Sequence, residues 1–373
     1  MIRFAYVLAA LLFFGLVGAR YDPQTGFTRL IRFSDPWNDK RLAKLQSLPI
    51  AIDAPESGGY DGQFYAQIAI DPLLRSPDLE AAIDAPAYRA RRILVPATAA
   101  LVGCGNPWWT LQVYALINVF CWIVLAWRLR VWIKGTDWMS FARWFGCMFS
   151  MGVLESVRQS LVDLPALLLL ALAIESFARS EGNRSTLWLA LGNLAKETTL
   201  LGAVALESIG FLRPGNRLSA FIKVSLTAVP LGLWWLYINH RFAPGAAGNG
   251  FGNFTWPFLG LFSETKVCVQ ALLEGNFDGR FSFGTVAIIA LLTQSVVVLW
   301  QRDMESPWWR VGSAYALLLP FLGLWVWSGY WAACRALLPL TIAFNLLLPS
   351  KRTFWPLWTI GNLALLHGVW RFV

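Results

Sequence analysis

The chain has 373 residues, of which 57% are hydrophobic and 14% are charged, with a formal net charge of +9. Soluble domains usually carry about 25% charged residues, so this composition excludes an ordinary soluble domain and predicts an α-helical membrane protein with several spans. No basic run exceeds two residues, so we assign the positive charge to the membrane surface and its lipids rather than to nucleic acid.

The first apolar segment covers residues 4–19 and follows Arg3. It also fits a signal peptide ending at Gly18-Ala19, but the many apolar segments that follow favour an uncleaved membrane helix. Arg3 places the N-terminus inside, so residues 20–107 form a long outer loop. That loop holds 10 of the 22 acidic residues.

Segment 185–212 is interrupted by Ala195-Lys196-Glu197-Thr198. A charge in mid-membrane costs roughly 2.5–3.5 kcal/mol, so we predict two short helices that meet at the outer face. One continuous span would reverse the topology after it and export several basic loops, which the positive-inside rule disfavours. Segment 92–104 is too short to cross and is predicted to lie along the outer interface.

The resulting prediction is one all-α polytopic membrane domain over residues 1–373, with about eleven transmembrane helices and with interfacial helices in the outer loop 20–107. The helical bundle covers 108–373 and includes a second outer loop at 240–280, whose glycine-rich stretch FAPGAAGNGFGNF suggests a mobile lid. The apolar segments that complete the bundle lie near 108–130, 138–154, 164–179, 185–212, 219–239, 281–300, 311–328, 333–349 and 353–372.

The first outer loop contains a block rich in Asp, Arg and Tyr, which reads YDGQFYAQIAIDP at 60–72 and DAPAYRARRILVP at 84–96. Asp61 stands at the mouth of a predicted short helix. Its carboxylate is either an N-cap or a general base that faces an acceptor hydroxyl. Tyr60 and Tyr65 flank it and could stack on a sugar.

The basic residues of this loop have two interpretations. Arg89, Arg91 and Arg92 either anchor a helix to lipid headgroups or clamp a phosphate. Lys196 and Arg335 each precede an apolar helix, where a lone cation needs a partner. We favour a role for both at an anionic group of the substrate.

Simpler roles remain open for the residues outside this loop. Lys196 could instead pair with Glu197 or Glu155, and Arg335 could extend to the interface. Asp163 is either an N-cap of the fourth span or an acid of the site. Because several outer loops carry these acids and bases, their convergence on one face indicates a site there.

The chain has five cysteines without close pairing and only two histidines. This pattern predicts neither a disulfide framework nor a zinc site. It also disfavours a histidine-based catalytic triad.

The motifs YDGQFY, DAPAYR, SVRQSLVDLPALLLL, LAKET and CRALLPL, together with one long outer loop before a bundle of short spans, resemble the GT-C superfamily of integral-membrane glycosyltransferases. The resemblance covers most of the chain and implies a polyprenyl-phosphate-linked sugar donor and a periplasmic active site in the bacterial inner membrane. It implies Asp61 as the base, Asp163 as the acid at the fourth span and Lys196 as the basic residue near the donor phosphate.

The predicted function is therefore transfer of a sugar to a hydroxyl of a lipid or glycan acceptor, with inversion. No metal ligand is predicted; some enzymes of the superfamily use Mg²⁺ or Mn²⁺, and the sequence leaves that open. The alternatives are a polyprenyl-lipid or envelope-glycan transporter, and a non-catalytic subunit of envelope assembly. With Asp61 as the catalytic residue, the predicted substrate-binding residues are Tyr60, Gln63, Tyr65, Arg89, Arg92, Glu155, Arg158, Asp163, Lys196, Glu197 and Arg335.

Overall fold

A computed structural model describes residues 1–53, 57–242 and 251–372. Over these ranges the protein is helical, and its β contacts are isolated bridges without a strand. The α-helices are α1 Ile2–Gly18, α2 Ala43–Gln46, α3 Gly62–Ile70, α4 Pro86–Ala90, α5 Leu94–Val102, α6 Pro107–Arg128, α7 Trp138–Met148, α8 Met151–Arg158, α9 Asp163–Ala178, α10 Gly182–Ala195, α11 Thr199–Leu212, α12 Arg217–Arg241, α13 Leu259–Leu273, α14 Gly279–Gln301, α15 Pro307–Leu318, α16 Leu324–Ser328, α17 Tyr330–Ala336, α18 Leu338–Leu347, α19 Phe354–Gly361 and α20 Ala364–Phe372.

Three helices of the described residues are long and apolar enough to cross a membrane. They are Pro107–Val131, Pro214–Arg241 and Gly279–Gln301, and the bent pair α17–α18 can count as a fourth. Helices α1 and α11 are apolar but shorter. These elements are compatible with a polytopic membrane protein, whereas the predicted count of about eleven spans stays a prediction.

Several segments that hydropathy predicted as single spans are broken in the structure. Segment 138–154 divides into α7 and α8, segment 311–328 into α15 and α16, and segment 353–372 into α19 and α20. The pair α17–α18 bends by 65°. Pro339 lies in the first turn of α18, where its ring and missing N–H prevent a helix from continuing unchanged.

The predicted interruption of segment 185–212 is present. Helix α10 ends at Ala195, Lys196 takes an extended backbone conformation, and α11 begins at Thr199. Both helices pack against α12, and α10 also packs along α9. The break therefore places the Lys196 and Glu197 side chains between packed helices instead of inside one apolar span.

The first loop folds back onto the bundle. Helix α3 matches the short helix predicted after Asp61, but its residues 62–69 are all buried, so it is not an interfacial helix. It packs against α5 and α6. Helix α5 does have an exposed apolar end at Leu101 and Val102 and a buried face at Val95 and Ala99, which fits a helix lying along an interface.

Labelling of cysteines with a membrane-impermeant maleimide tests the predicted topology. Cys104 is exposed in the outer loop, and the other four cysteines are buried. Intact cells should therefore be labelled at Cys104. In a Cys104→Ser background, Gly215→Cys should be labelled only after permeabilisation, because the positive-inside rule places that turn inside.

Gly215 suits this test because a Cβ at that position meets no atom within 4 Å. Labelling of Gly215→Cys in intact cells would overturn the topology. Absence of Cys104 labelling in intact cells would place the first loop inside, contrary to the prediction.

Candidate active site

A cavity of about 520 Å³ lies where the first loop, the break between α10 and α11, and α17 meet. Its lining includes five cations and three carboxylates, which we call the cationic wall, and a set of apolar side chains, which we call the apolar wall. The charged residues on the wall are Asp61, Arg89, Arg91, Arg92, Asp163, Lys196, Glu197 and Arg335. The excess of two positive charges suits an anionic ligand.

Asp61 is the carboxylate that the first loop contributes. It occupies the N-cap position of α3, but its side chain makes no capping hydrogen bond, so the capping interpretation is wrong. Arg89 donates to its Oδ1 at 2.9 Å and to Asp84 at 2.7 Å. Among the described residues Oδ2 of Asp61 has no hydrogen-bond donor, and it can face a ligand.

The electrostatic environment of Asp61 keeps it ionised. Burial of the carboxyl acts to raise its pKa, but the charges of Arg89 and Arg335 outweigh that effect and hold the pKa of Asp61 below its usual 3.8. A carboxylate in this state accepts a hydrogen bond from a hydroxyl throughout the neutral pH range. The buried Arg89, at 8% exposure, acts here as a partner of Asp61 and not as a lipid anchor.

Asp163 begins α9 and joins two cations from distant parts of the chain. Lys196 donates to its Oδ1 at 2.5 Å, and Arg335 donates to its Oδ2 at 3.1 Å. Asp163 makes no capping hydrogen bond, and Lys196 pairs with it rather than with Glu197 or Glu155. Arg335 is 9% exposed, so it does not extend to the interface.

Arg92 links the first loop to the helix break. Its Nε donates to Glu197 at 3.0 Å, and its other nitrogens donate to the hydroxyls of Tyr65 and Tyr88, each at 2.6 Å. The Tyr88 hydroxyl also accepts a hydrogen bond from Asn253 at 3.0 Å. Residues from three separate segments therefore fix one guanidinium at the cavity.

Tyr60 connects the first loop to α17. Its hydroxyl accepts hydrogen bonds from Trp331 Nε1 at 2.7 Å and from Arg335 Nη2 at 2.8 Å. The Arg335 guanidinium also lies 5.2 Å from the centre of the Tyr60 ring. The predicted stacking role of Tyr60 on a sugar therefore competes with a role in positioning Arg335.

The apolar wall comes from the end of α15, from α16 and from the described end of the second outer loop. It includes Leu318, Leu322, Trp325, Val326 and Phe254. The Asn253 carbonyl accepts a hydrogen bond from Gly323 at 2.7 Å, which ties that loop end to the wall. Three glycines of the predicted lid lie outside the described residues: Gly245, Gly248 and Gly250.

Four predicted site residues do not line the cavity. Gln63 is buried beneath the loop, where its Oε1 accepts hydrogen bonds from the Ser34 backbone and hydroxyl. Tyr65 reaches the cavity indirectly, through the hydrogen bond that its hydroxyl accepts from Arg92 and through the Arg89 guanidinium, which lies 5.7 Å from the centre of its ring. Glu155 and Arg158 are not part of this cavity, because α8 directs them towards Arg371 of α20.

The structure adds cavity residues that the prediction did not assign to the site. Tyr88 belongs to the DAPAYRARR motif, and Asn253 belongs to the glycine-rich loop. Arg91, one of the three arginines with two interpretations, also lines the cavity. Both motifs are conspicuous in the sequence, but the sequence does not show that they lie at the same cavity as Asp61. Trp325 gave no comparable signal, because the chain contains 21 tryptophans.

The cavity carboxylates do not fit a divalent-cation site. Asp61 is paired with Arg89, Asp163 with Lys196 and Arg335, and Glu197 with Arg92. Mg²⁺ and Mn²⁺ prefer oxygen ligands that are free of competing cations. Within the ranges that the structure covers, no group of three or more acidic, His or Cys side chains is placed to hold a metal.

Comparison with known proteins returns no matching family model, curated protein or solved structure.

Gly62→Ala tests how tightly the backbone beside Asp61 is held. An added Cβ would lie 2.8 Å from the Ile31 carbonyl oxygen and closer still to that of Gln159. Overpacking of this kind costs roughly 1–3 kcal/mol, so the purified variant should unfold at a lower temperature in a tryptophan-fluorescence melt. Gly58→Ala is the matched control, because its Cβ meets nothing within 4 Å. Equal melting points would show that the contact is easily relieved.

Proposed function

We propose that the protein is a membrane glycosyltransferase that moves a sugar from a polyprenyl-phosphate donor to an acceptor hydroxyl. The observation that carries this proposal is one cavity that joins a cationic wall, an apolar wall and the open Oδ2 of Asp61. A lipid-linked phosphate has an anionic group and an apolar chain, which correspond to the two walls. The resemblance of the sequence motifs to GT-C enzymes supports the same class.

The reaction follows as a single displacement. The acceptor oxygen forms a bond to the anomeric carbon, and the bond from that carbon to the donor phosphate oxygen breaks. The acceptor proton passes to Asp61, and the electron pair leaves with the polyprenyl phosphate. Displacement from the face opposite the phosphate inverts the anomeric configuration.

The cationic wall would stabilise the leaving group. Negative charge develops on the departing phosphate, and preorganised cations at such a position lower the barrier. Arg335 and Lys196 share one carboxylate, so together with Asp163 they retain a net positive charge. Arg91 adds another cation, which stacks on Trp235 at 5.2 Å and has no carboxylate partner among the described residues.

The proposed location follows from the same features. If the outer loops face the periplasm, the cavity opens where a polyprenyl-linked donor in the inner membrane and an envelope acceptor can meet. Trp325 is 78% exposed beside the cavity. Exposed tryptophan suits the interfacial region of a bilayer, and it would mark the side from which the lipid chain enters.

Asp61→Asn tests the catalytic assignment. The substitution keeps the size of the side chain and removes its ability to take a proton. General-base catalysis contributes roughly 10²–10⁴-fold, so kcat for transfer from a polyprenyl-phosphate sugar should fall by that factor with little change in KM. The assay uses purified protein in nanodiscs with a radiolabelled donor.

Arg335→Ala provides the contrast, because it removes a cation from the donor side. It should raise KM for the donor, since a charge-assisted hydrogen bond contributes about 1.5–3 kcal/mol, and it should also lower kcat, because the same cation stabilises the charge of the departing phosphate. The rise in KM distinguishes it from Asp61→Asn. Near-normal turnover by Asp61→Asn would refute the assignment. Transfer absent from the wild type across polyprenyl-phosphate donors, with lipid translocation present, would favour a transporter.

The pH dependence of transfer tests the Asp61–Arg89 pair. The pKa of Asp61 lies below 3.8, so its base form persists as the pH falls and is lost only in strong acid. Arg89→Gln removes the largest of the charges that lower this pKa and leaves burial to raise it. The acid limb of kcat should therefore move to higher pH in the variant.

Arg89→Lys retains the positive charge beside Asp61. The acid limb of its kcat profile should therefore stay closer to that of the wild type. Profiles are measured over about pH 4–8, the range in which a raised carboxyl pKa becomes visible. An acid limb unchanged in Arg89→Gln would contradict control of Asp61 by Arg89.

A further inference from the structure

A second pocket of about 360 Å³ lies apart from the active-site cavity and shares none of its lining residues. It forms where the chain leaves α1, where α8 ends and where α20 ends. Five arginines surround it, with Asp53 as the acidic residue of the lining. We call it the arginine pocket, and its arginines are Arg20, Arg29, Arg32, Arg158 and Arg371.

The positive charges of the arginine pocket are only partly neutralised. Asp53 pairs with Arg32 at 2.7 Å. Glu155 is 3.1 Å from Arg371 and 3.6 Å from Arg158. The charge of Asp22 also acts on Arg29. Among the described residues, three carboxylates thus oppose five guanidinium groups, which leaves two positive charges over.

Several buried donors of this pocket have no acceptor. Within the described part of the chain, Nε of Arg20, Nε of Arg158 and Nη1 of Arg371 are buried without a hydrogen-bond partner. Buried N–H groups are normally satisfied, and charged ones are the most costly to leave unpaired. The same three arginines line the pocket, so an oxygen-rich anion there would offer acceptors to guanidinium groups that the protein satisfies only in part.

The electrostatics agree with this geometry. Burial, together with the charges of Arg371, Arg32 and Arg20, overcomes the effect of Glu155 and lowers the pKa of Arg158 to about 10. Repulsion among like charges on this scale is relieved when an anion binds. Phosphate is the preferred partner of clustered guanidinium groups, because their planar forks bond its oxygens in pairs.

The backbone of Arg32 is also unusual. It adopts a left-handed conformation with φ of 61°, which non-glycine residues rarely take and which clusters at ligand sites. Its carbonyl accepts a hydrogen bond from the Tyr60 amide at 3.2 Å. The conformation that supports Tyr60 at the cavity therefore also sets the Arg32 side chain at the arginine pocket.

We propose that the arginine pocket binds a phosphate group, either as a free phosphate-bearing solute or as the headgroup of an anionic lipid. Two surplus charges match a phosphate dianion better than a single carboxylate. The pocket follows α1, whose apolar side chains are exposed at Leu8 and Leu11, so a lipid headgroup can reach it as well as a solute. Binding here does not depend on the transfer reaction proposed above.

The two sites are physically connected. The guanidinium of Arg371 lies 4.3 Å from the centre of the Trp331 ring. Trp331 in turn donates to the Tyr60 hydroxyl at the active-site cavity. A phosphate that reorients Arg371 would therefore act on Trp331, the residue that holds Tyr60.

Binding of inorganic phosphate to the full chain in detergent tests the proposal by isothermal titration. Arg158→Gln removes one buried guanidinium and should weaken binding roughly tenfold, the effect of losing a charge-assisted hydrogen bond. Arg29→Gln should also weaken binding, and because Arg29 is exposed this variant keeps the assay interpretable if Arg158→Gln misfolds. Arg184→Gln is the control, since that arginine lies outside both pockets and its side chain is 64% exposed.

A parallel measurement separates the two sources of phosphate. Native mass spectrometry of protein released from nanodiscs of phosphatidylglycerol and phosphatidylcholine counts the retained lipids. Selective loss of phosphatidylglycerol in Arg29→Gln and Arg158→Gln supports a lipid headgroup. Phosphate binding that weakens in these variants without any lipid difference supports a soluble ligand. Identical phosphate affinity and lipid retention in wild type, Arg29→Gln and Arg158→Gln would overturn the proposal, whatever the activity of Asp61→Asn.

Discussion

The arrangement of the cavity depends on one carboxylate, Asp163, which holds Lys196 and Arg335 at the same time. All three residues are largely removed from water. An ion group in such surroundings is favourable only when every member has its partner, and removal of one partner from a buried pair costs about 3–5 kcal/mol. Asp163 therefore fixes the start of α9, the break after α10 and the position of α17 relative to one another.

The helix break at Lys196 shows why the charges gather in one place. A continuous helix would place Lys196 and Glu197 in apolar surroundings without compensation. The break instead presents Lys196 to Asp163 and Glu197 to Arg92. The interruption that pairs these charges also places them in the cationic wall, so the side chains that stabilise the fold are the ones proposed to bind the ligand.

The two sets of lining residues are the reason for proposing a lipid-linked substrate. A soluble sugar nucleotide would need polar contacts along its whole length, whereas this cavity is lined by cations and by apolar side chains. The proposed isoprenoid phosphate would match both sets. The open oxygen of Asp61 then stands where an acceptor hydroxyl can approach.

Local patterns in the sequence predicted the local parts of the fold. The residues after Asp61 form the expected short helix, and segment 185–212 breaks at its charged residues, because each feature depends on neighbouring residues. Hydropathy did not detect the division of 138–154 or 353–372, since a break of one or two residues barely changes an average over a window. Those divisions leave the span count open.

The sequence did not predict which distant charged residues pair with each other. The pairing of Asp163 with Lys196, and not of Glu155 with Lys196, depends on how α8, α9 and α17 pack. For the same reason Glu155 and Arg158 were assigned to the active site, although α8 directs them to Arg371 and the arginine pocket. Charges expected on one face can thus belong to two separate pockets.

A structure of the protein with a polyprenyl-phosphate sugar in nanodiscs tests the central claim most directly. The donor phosphate should lie within hydrogen-bond distance, about 2.7–3.2 Å, of at least two among Arg91, Arg92, Lys196 and Arg335. The anomeric carbon should face Oδ2 of Asp61, with room between them for an acceptor hydroxyl. A phosphate bound away from this cationic wall, or a sugar that points away from Asp61, would contradict the account.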